Sequence, residues 1–178
     1  SPIALKTMVP VSVRSPDSDE EFGNRIAFVF VDLPCEEPEP LRRLEAVAAE
    51  MGTRKEAGHP EGADALLRLL SYTPRTLQHL FSKLATSTRA FDLTVSNIPG
   101  PREPLWMLGC ELREAYPVVP MADSHSVSIG LTTVRDDVFL GVYADRKAMP
   151  EADRLAQLID ESFEELRELV PEPVLTTA

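Results

Sequence analysis

Residues 91–101 read FDLTVSNIPGP, a segment that runs from a strand directly into a fixed turn. Apolar side chains alternate with polar ones at its start, which predicts a β-strand with one apolar face. Continuing that alternation places Asn97 inward, where an amide must find hydrogen-bond partners. Pro99 supplies the fixed φ and Gly100 the permissive φ of a type II turn, so we expect a rigid exit from the strand.

Two interpretations of this exit stay open from the residues alone. In the structural interpretation, it is a turn in which Asn97 bonds the local backbone. In the functional interpretation, it is a rigid loop that presents polar groups at a cleft. The residues that would then contact substrate are Ser96, Asn97, Pro99 and Gly100.

A second pattern follows at residues 124–132, where every other side chain is small. A strand face made only of small side chains allows a helix or an elongated ligand to approach the sheet closely, and both alternatives stay open. His125, at the start of this strand, is the only histidine that we place near a site. Ser126 and Ser128 complete the set of candidate substrate-binding residues.

The rest of the chain intermixes strand and helix patterns. Strands are predicted over residues 8–13, 25–33, 105–112, 125–134 and 138–144, and helices over residues 41–51, over 63–70, after Thr73 and after Pro150. This mixture predicts an α/β fold, a two-layer sandwich in which helices pack on a mixed sheet.

Several residues further constrain these elements. Pro10 marks the first strand as an edge or a bulge, whereas residues 25–33 are apolar on both faces and are expected at the centre of the sheet. Gly52 is placed to end the first long helix. Asp136 and Asp137 are expected to form the turn between the last two strands.

The length and charge of the chain narrow the class of protein. With 178 residues it forms one domain, which we assign to residues 1–170, followed by a flexible tail at 171–178. Its net charge of −11 excludes nucleic acid as a partner and disfavours docking on anionic lipid. No apolar run reaches the roughly 18 residues of a membrane span. Because the start also lacks the pattern of a signal peptide, we expect a cytoplasmic location.

No complete set of catalytic residues can be assembled from this sequence. The histidines are His59, His79 and His125, and no two of them have the spacing of metal ligands. Cys35 and Cys110 form neither a metal motif nor a disulfide framework, so free thiols are expected. We therefore assign no catalytic residue, no metal and no cofactor to the chain.

Several motifs, in order along the chain, resemble the C-terminal domain of the bacterial wax ester synthase/diacylglycerol acyltransferase family, and the resemblance covers nearly the whole chain. They are residues 8–14, 23–25, 96–101, 104–109, 115–120, 125–130 and 142–145, followed by the final amphipathic helix.

The resemblance implies a fold like that of chloramphenicol acetyltransferase and the carnitine acyltransferases, in which two similar α/β halves enclose an active-site tunnel. It also implies that a His-His-x-x-x-Asp-Gly motif lies in the N-terminal half, where the second histidine is the general base. The present chain contains no His-His pair, so the catalytic histidine is not in it. The chain alone is therefore expected to be inactive.

Two classes of function follow. In the first, the chain is the C-terminal half of an acyltransferase that uses acyl-CoA and an alcohol or diacylglycerol to make wax esters or triacylglycerol, and it supplies one wall of the tunnel. In the second, it is a non-catalytic interaction or scaffold domain of the same fold. A related acyltransferase half of polyketide or peptide biosynthesis is the alternative within the first class. The expected partner is the N-terminal half, and a homodimer and peripheral contact with a membrane or lipid-body surface stay open.

Overall fold

A computed structural model describes residues 5–12, 26–57 and 87–170. The strands are β1 (Leu5–Ser12), β2 (Ile26–Leu33), β3 (Leu93–Ile98), β4 (Trp106–Met107), β5 (Cys110–Glu111), β6 (Val127–Val134) and β7 (Asp137–Ala144). The helices are α1 (Pro40–Ala57) and α2 (Ala152–Leu169). The predicted helices over residues 63–70 and after Thr73, and the predicted tail at 171–178, lie outside the described residues.

Five strands form one mixed sheet in the order β2-β1-β3-β6-β7. β1, β3 and β6 run parallel to one another, while β2 and β7 are antiparallel to their neighbours. Helix α1 packs on β2, and α2 packs on α1 and β7. The predicted α/β architecture with a mixed sheet is therefore confirmed.

The positions of the first two strands differ from the prediction. β2 is an edge strand, not a central one, and its Phe28 is 57% exposed. β1, expected at the edge because of Pro10, lies between β2 and β3. The pairing of β1 with β3 ends at Met8, so Pro10 has no partner on that side and its missing N–H breaks no ladder there.

Helix α1 continues through Gly52 to Ala57, beyond the end that was predicted. A glycine in a helix interior lowers stability by only about 1 kcal/mol, which the rest of the helix can outweigh. Helix α2 begins shortly after Pro150, as expected. Of the apolar residues expected to form one stripe along it, Leu155, Ile159 and Leu166 are half-buried, whereas Leu158, Phe163 and Leu169 are exposed.

Both reversals of direction in the second half of the chain differ in detail from the prediction. β6 and β7 form the expected hairpin, but Val134 pairs with Asp137, so the turn is Arg135-Asp136. Residues 105–112, predicted as one strand, form a short hairpin of β4 and β5. The turn of this hairpin is formed by Leu108 and Gly109, which both have positive φ.

Candidate functional site

The exit of β3 is clamped to the end of β6 and to the turn that follows it. The Thr132 hydroxyl donates to the Ile98 carbonyl at 2.8 Å, and the Gly100 N–H donates to the Thr133 hydroxyl at 3.1 Å. One residue further on, the Arg135 N–H donates to the Pro101 carbonyl at 2.8 Å.

Gly100 is required at this exit by close contact. A Cβ atom there would lie 1.7 Å from the carbonyl oxygen of Thr133. The chain therefore leaves β3 along one fixed path, but not through the predicted type II turn, because Gly100 does not have the positive φ that such a turn requires.

Asn97 is exposed at this rigid exit, so the expectation that it faces inward is wrong. It does lie on the same side of β3 as Leu93 and Val95, which are half-buried. Its side chain makes no hydrogen bond to any described residue, so the structural interpretation lacks the bond that it requires. An exposed amide offers two N–H donors and one carbonyl acceptor to a ligand.

The location of Asn97 in the sheet also suits ligand binding. It lies one residue before the carboxyl end of β3 and is paired with Leu131 of the parallel strand β6, which continues to Val134. In open α/β sheets, ligands bind outside the carboxyl ends of the strands. Of the candidate residues, Asn97 is thus the one whose polar atoms are available at such an edge.

The small-residue face of β6 is covered by another part of the same chain. Pro117 and Val119 lie so close that a Cβ on Gly130 would be 2.9 Å from each side chain. Gly141, the partner of Gly130 in β7, would place a Cβ 2.0 Å from the Pro117 carbonyl oxygen. The extended segment from Ala115 to Pro120, which we call the covering segment, therefore packs on the predicted stripe of small residues.

Ser96 and Ser128 belong to this covered face. Ser128 is fully buried, and its hydroxyl donates to the Val119 carbonyl. Ser96 is paired with Gly130 and is buried beside it. Both hydroxyls face the covering segment, on the side of the sheet opposite to Asn97.

His125 is buried and has a contact at each ring nitrogen. Its Nδ1 lies 3.0 Å from the Asp123 carbonyl oxygen, and its Nε2 lies 3.0 Å from the Phe91 carbonyl oxygen. Both nitrogens lie against backbone carbonyl oxygens, so neither faces open space where a substrate hydroxyl could reach it. The neighbouring Ser126 is half-buried, and its carbonyl accepts a hydrogen bond from the Asp145 N–H.

The structure divides the predicted site residues into two groups. Asn97, Pro99 and Gly100 lie together at the carboxyl end of β3, whereas His125 and Ser126 lie just before the amino end of β6. Leu131, the partner of Asn97, comes six residues after His125. Because extended chain rises about 3.3 Å per residue, the two groups are on the order of 20 Å apart.

A polar cavity of about 440 Å³ lies beside the clamped exit of β3, with which it shares Arg135, and no motif in the sequence indicated it. It is lined by Arg113, Glu114, Arg135, Asp137, Val138 and Phe139. Glu111 forms ion pairs with Arg135 at 3.1 Å and with Arg113 at 3.7 Å. Because carboxylates neutralise both arginines, the cavity lacks the excess positive charge of an anion site.

Tyr116 lies next to the residues of this cavity. A hydrogen bond to the Glu114 carboxylate, together with the negative charge of that carboxylate, raises the pKa of the Tyr116 hydroxyl above its ordinary value of 10.0. The Tyr116 ring also contacts the ring of Phe139 edge to face, with centroids 5.4 Å apart.

Two classes of site are absent from the part of the chain that the structure describes. No group of three or more potential ligand side chains could hold a metal ion there. No helix within those ranges is both long and apolar enough to cross a membrane.

Comparison with known proteins shows one consistent relationship. The sequence model of the WS/DGAT C-terminal domain matches residues 22–167. The O-acyltransferase WSD of Acinetobacter baylyi is 32% identical over 162 residues, which are 90% of this chain and 35% of that protein. A probable diacylglycerol O-acyltransferase of Mycobacterium tuberculosis is 28% identical over 165 residues, which are 92% of this chain and 36% of that protein.

A solved structure has the same fold. The wax ester synthase/diacylglycerol acyltransferase from Marinobacter aquaeolei superposes with a TM-score of 0.66 at 24% sequence identity, over 92% of this chain and 36% of that one. The chain thus spans only about a third of the length of the proteins that it matches.

Proposed function

The chain belongs to the wax ester synthase/diacylglycerol acyltransferase family as its C-terminal domain, and from this we propose that it is one half of an acyl-CoA-dependent O-acyltransferase. The relatives that it matches are O-acyltransferases, of which it spans 35–36% of the length. In this proposal, an N-terminal half supplies the general-base histidine, and the present chain supplies one wall of the substrate tunnel.

The observation that carries the proposal is the exposed amide of Asn97 at the clamped exit of β3. Its neighbours Pro99 and Gly100 hold it in place, and no described residue uses its hydrogen-bonding groups. A preorganised donor beside a reacting carbonyl stabilises the charge that develops on its oxygen in the transition state. We assign this role to Asn97, and we assign the support of the wall to Ser96, Ser128 and His125.

The reaction joins a fatty acyl group to an alcohol. The histidine of the N-terminal half removes the proton of the alcohol hydroxyl, and the oxygen attacks the thioester carbonyl carbon of acyl-CoA. The resulting oxyanion collapses, the carbon–sulfur bond breaks, and the CoA thiolate takes up the proton. The Asn97 side-chain N–H groups would donate to the oxyanion.

The experiment that tests this function uses the polypeptide in which the chain is joined to its N-terminal half. We expect it to transfer a long-chain acyl group from CoA to a diacylglycerol or a fatty alcohol. If transfer occurs only from carrier-protein thioesters, the chain belongs to the polyketide or peptide type of acyltransferase. If a folded polypeptide with an intact His-His-x-x-x-Asp-Gly motif transfers from neither donor, the catalytic proposal is wrong.

A further inference from the structure

The hairpin of β4 and β5, residues 105–112, exposes a cluster of large apolar side chains. Trp106 is 65% exposed, Met107 is 77% exposed, and Leu108 at the tip is 99% exposed. Large apolar groups gathered at one place on a surface indicate an interaction site. We call residues 105–112 the apolar hairpin.

Leu108 is unfavourable in its position on two independent grounds. Its φ is +53° and that of Gly109 is +82°, so both central residues of the turn have the positive φ of a type I′ turn. Asparagine and glycine are preferred at such positions, because glycine has no Cβ to crowd the carbonyl oxygen and the asparagine side chain can hydrogen-bond to the local backbone. Leu108 thus has a disfavoured conformation and full contact with water at the same time.

The apolar hairpin is also separate from the main sheet. It forms its own two-stranded sheet with only two residues in each strand, and such ribbons are marginally stable in water. Its base is held by a hydrogen bond from the Leu112 N–H to the Leu105 carbonyl at 2.8 Å and by the ion pair of Glu111 with Arg135. The base is fixed while the tip has no described packing partner of its own.

We propose that the apolar hairpin is the surface on which the N-terminal half of the enzyme docks, with Leu108 as the anchor. This inference rests on the proposed function. About two thirds of the length of each matched protein lies outside the present chain, which supplies an occupant of suitable size. Burial of the Leu108 side chain in a pocket of the partner would offset the backbone strain and the exposure that it has in the free chain.

Two further observations favour a protein over a lipid surface as the occupant. Charged residues of both signs flank the apolar hairpin, with Arg102 and Glu103 before it and Arg113 and Glu114 after it, as at the rim of a protein interface. The net charge of −11 opposes approach to anionic lipid. The apolar hairpin also begins just after the clamped Pro101, so a partner that covers Asn97 would meet it next.

The two cysteines of the chain provide the test. Cys110 is exposed and pairs with Met107 in the apolar hairpin, while Cys35 is exposed in the turn after β2. We would measure the alkylation rate of each thiol by peptide mass spectrometry, in the 178-residue chain and in the joined polypeptide. In the joined polypeptide, the alkylation rate of Cys110 should fall at least about tenfold relative to that of Cys35, because a thiol reacts only when the reagent can reach it.

A substitution tests Leu108 directly. Leu108→Asn relieves the strain and removes the apolar group, so the melting temperature of the chain should stay the same or rise. Its dissociation constant for the N-terminal half, supplied as a separate chain, should rise about tenfold or more. Leu169→Gln, at an exposed leucine in the last turn of α2, is the matched control and should leave binding unchanged.

The possible outcomes separate this inference from the proposed function. A joined polypeptide that makes ester while its Cys110 reacts as fast as in the free chain would refute docking at the apolar hairpin and leave the proposed function standing. A folded polypeptide without acyltransfer would refute the proposed function instead. Protection of Cys110 in the free chain by phosphatidylcholine vesicles would identify lipid as the occupant, and protection that rises with protein concentration would identify a second copy. Either result would overturn the inference.

Discussion

The imidazole of His125 lies flat against the ring of Phe91, with the ring centroids 4.0 Å apart and the planes 17° from parallel. The same histidine reaches the Phe91 carbonyl oxygen through Nε2. Ring and backbone contacts together tie the segment just before β6 to the segment just before β3. The only histidine in the described chain thus fixes two parallel strands relative to each other, which is a structural task.

His125→Ala should therefore lower stability without lowering activity per folded molecule. The substitution leaves a cavity against Phe91 and removes the partner of two carbonyls, which should reduce the free energy of unfolding by about 2–4 kcal/mol. His125→Asn, which keeps one N–H donor, should lose less. Urea denaturation and the specific activity of the joined polypeptide measure the two effects. A stable but inactive alanine variant would show that His125 acts in catalysis.

Replacement by alanine should have opposite effects on stability at Gly141, which contacts the segment over β6, and at Gly52, which lies in open space. Gly141→Ala forces a Cβ against the Pro117 carbonyl oxygen and should lower the free energy of unfolding by about 1–3 kcal/mol. Gly52→Ala, in the open interior of α1, meets no atom within 4 Å and should raise it by about 0.5–1 kcal/mol. Thermal melting of both variants checks the pair. Equal melting temperatures would contradict the observed packing of the segment.

Asn97→Ala should reduce catalysis and leave folding unchanged. The side chain is exposed and has no described partner, so its loss removes no internal hydrogen bond. In the joined polypeptide, kcat/KM should fall about 10- to 100-fold, or roughly 1.4–2.7 kcal/mol of transition-state stabilisation. Asn97→Asp, which has a similar shape and no N–H donor, should be equally impaired. Full activity in either variant would remove Asn97 from the proposed site.

Tyr116 should titrate above its ordinary range because of Glu114. The nearby carboxylate disfavours the phenolate, so the pKa of Tyr116 is raised above 10.0 in the folded chain. The resulting stabilisation is present below that pH and is lost as the pH rises through the folded-state pKa. Absorbance titration of the wild type against Tyr116→Phe isolates this hydroxyl. If Glu114→Gln leaves the titration unchanged, the assigned cause is wrong.

Much of the fold follows from patterns that are local in the sequence. The alternation in β3 and in β6, the last hairpin and the periodicity of α2 each depend on neighbouring residues. Strand order does not, because an apolar run such as β2 looks the same at the centre of a sheet as at its edge. Pro10 likewise suits any position where one neighbouring strand has ended, so it could not fix the place of β1.

Local sequence patterns have the same limit at the candidate site. Pro99 and Gly100 predict a type II turn from their own conformational preferences, but Gly100 lacks the positive φ of that turn. Contacts with Thr133 hold the exit instead, and no local pattern indicates them. Whether Asn97 is buried or exposed depends on what covers the end of β3, and no local pattern in the sequence encodes that. The stripe of small residues indicated a close approach, but not that Pro117 and Val119 would make it.

The central claim is that this chain is one half of an acyltransferase whose general base lies in the other half. The most direct test measures acyl transfer from a long-chain acyl-CoA to diacylglycerol, for the chain alone and for the joined polypeptide. We expect no turnover by the chain alone above a heat-inactivated control. The joined polypeptide should be active and should lose about 10²- to 10⁴-fold in rate when the second histidine of its His-His-x-x-x-Asp-Gly motif is replaced. Turnover by the 178-residue chain alone would contradict the account.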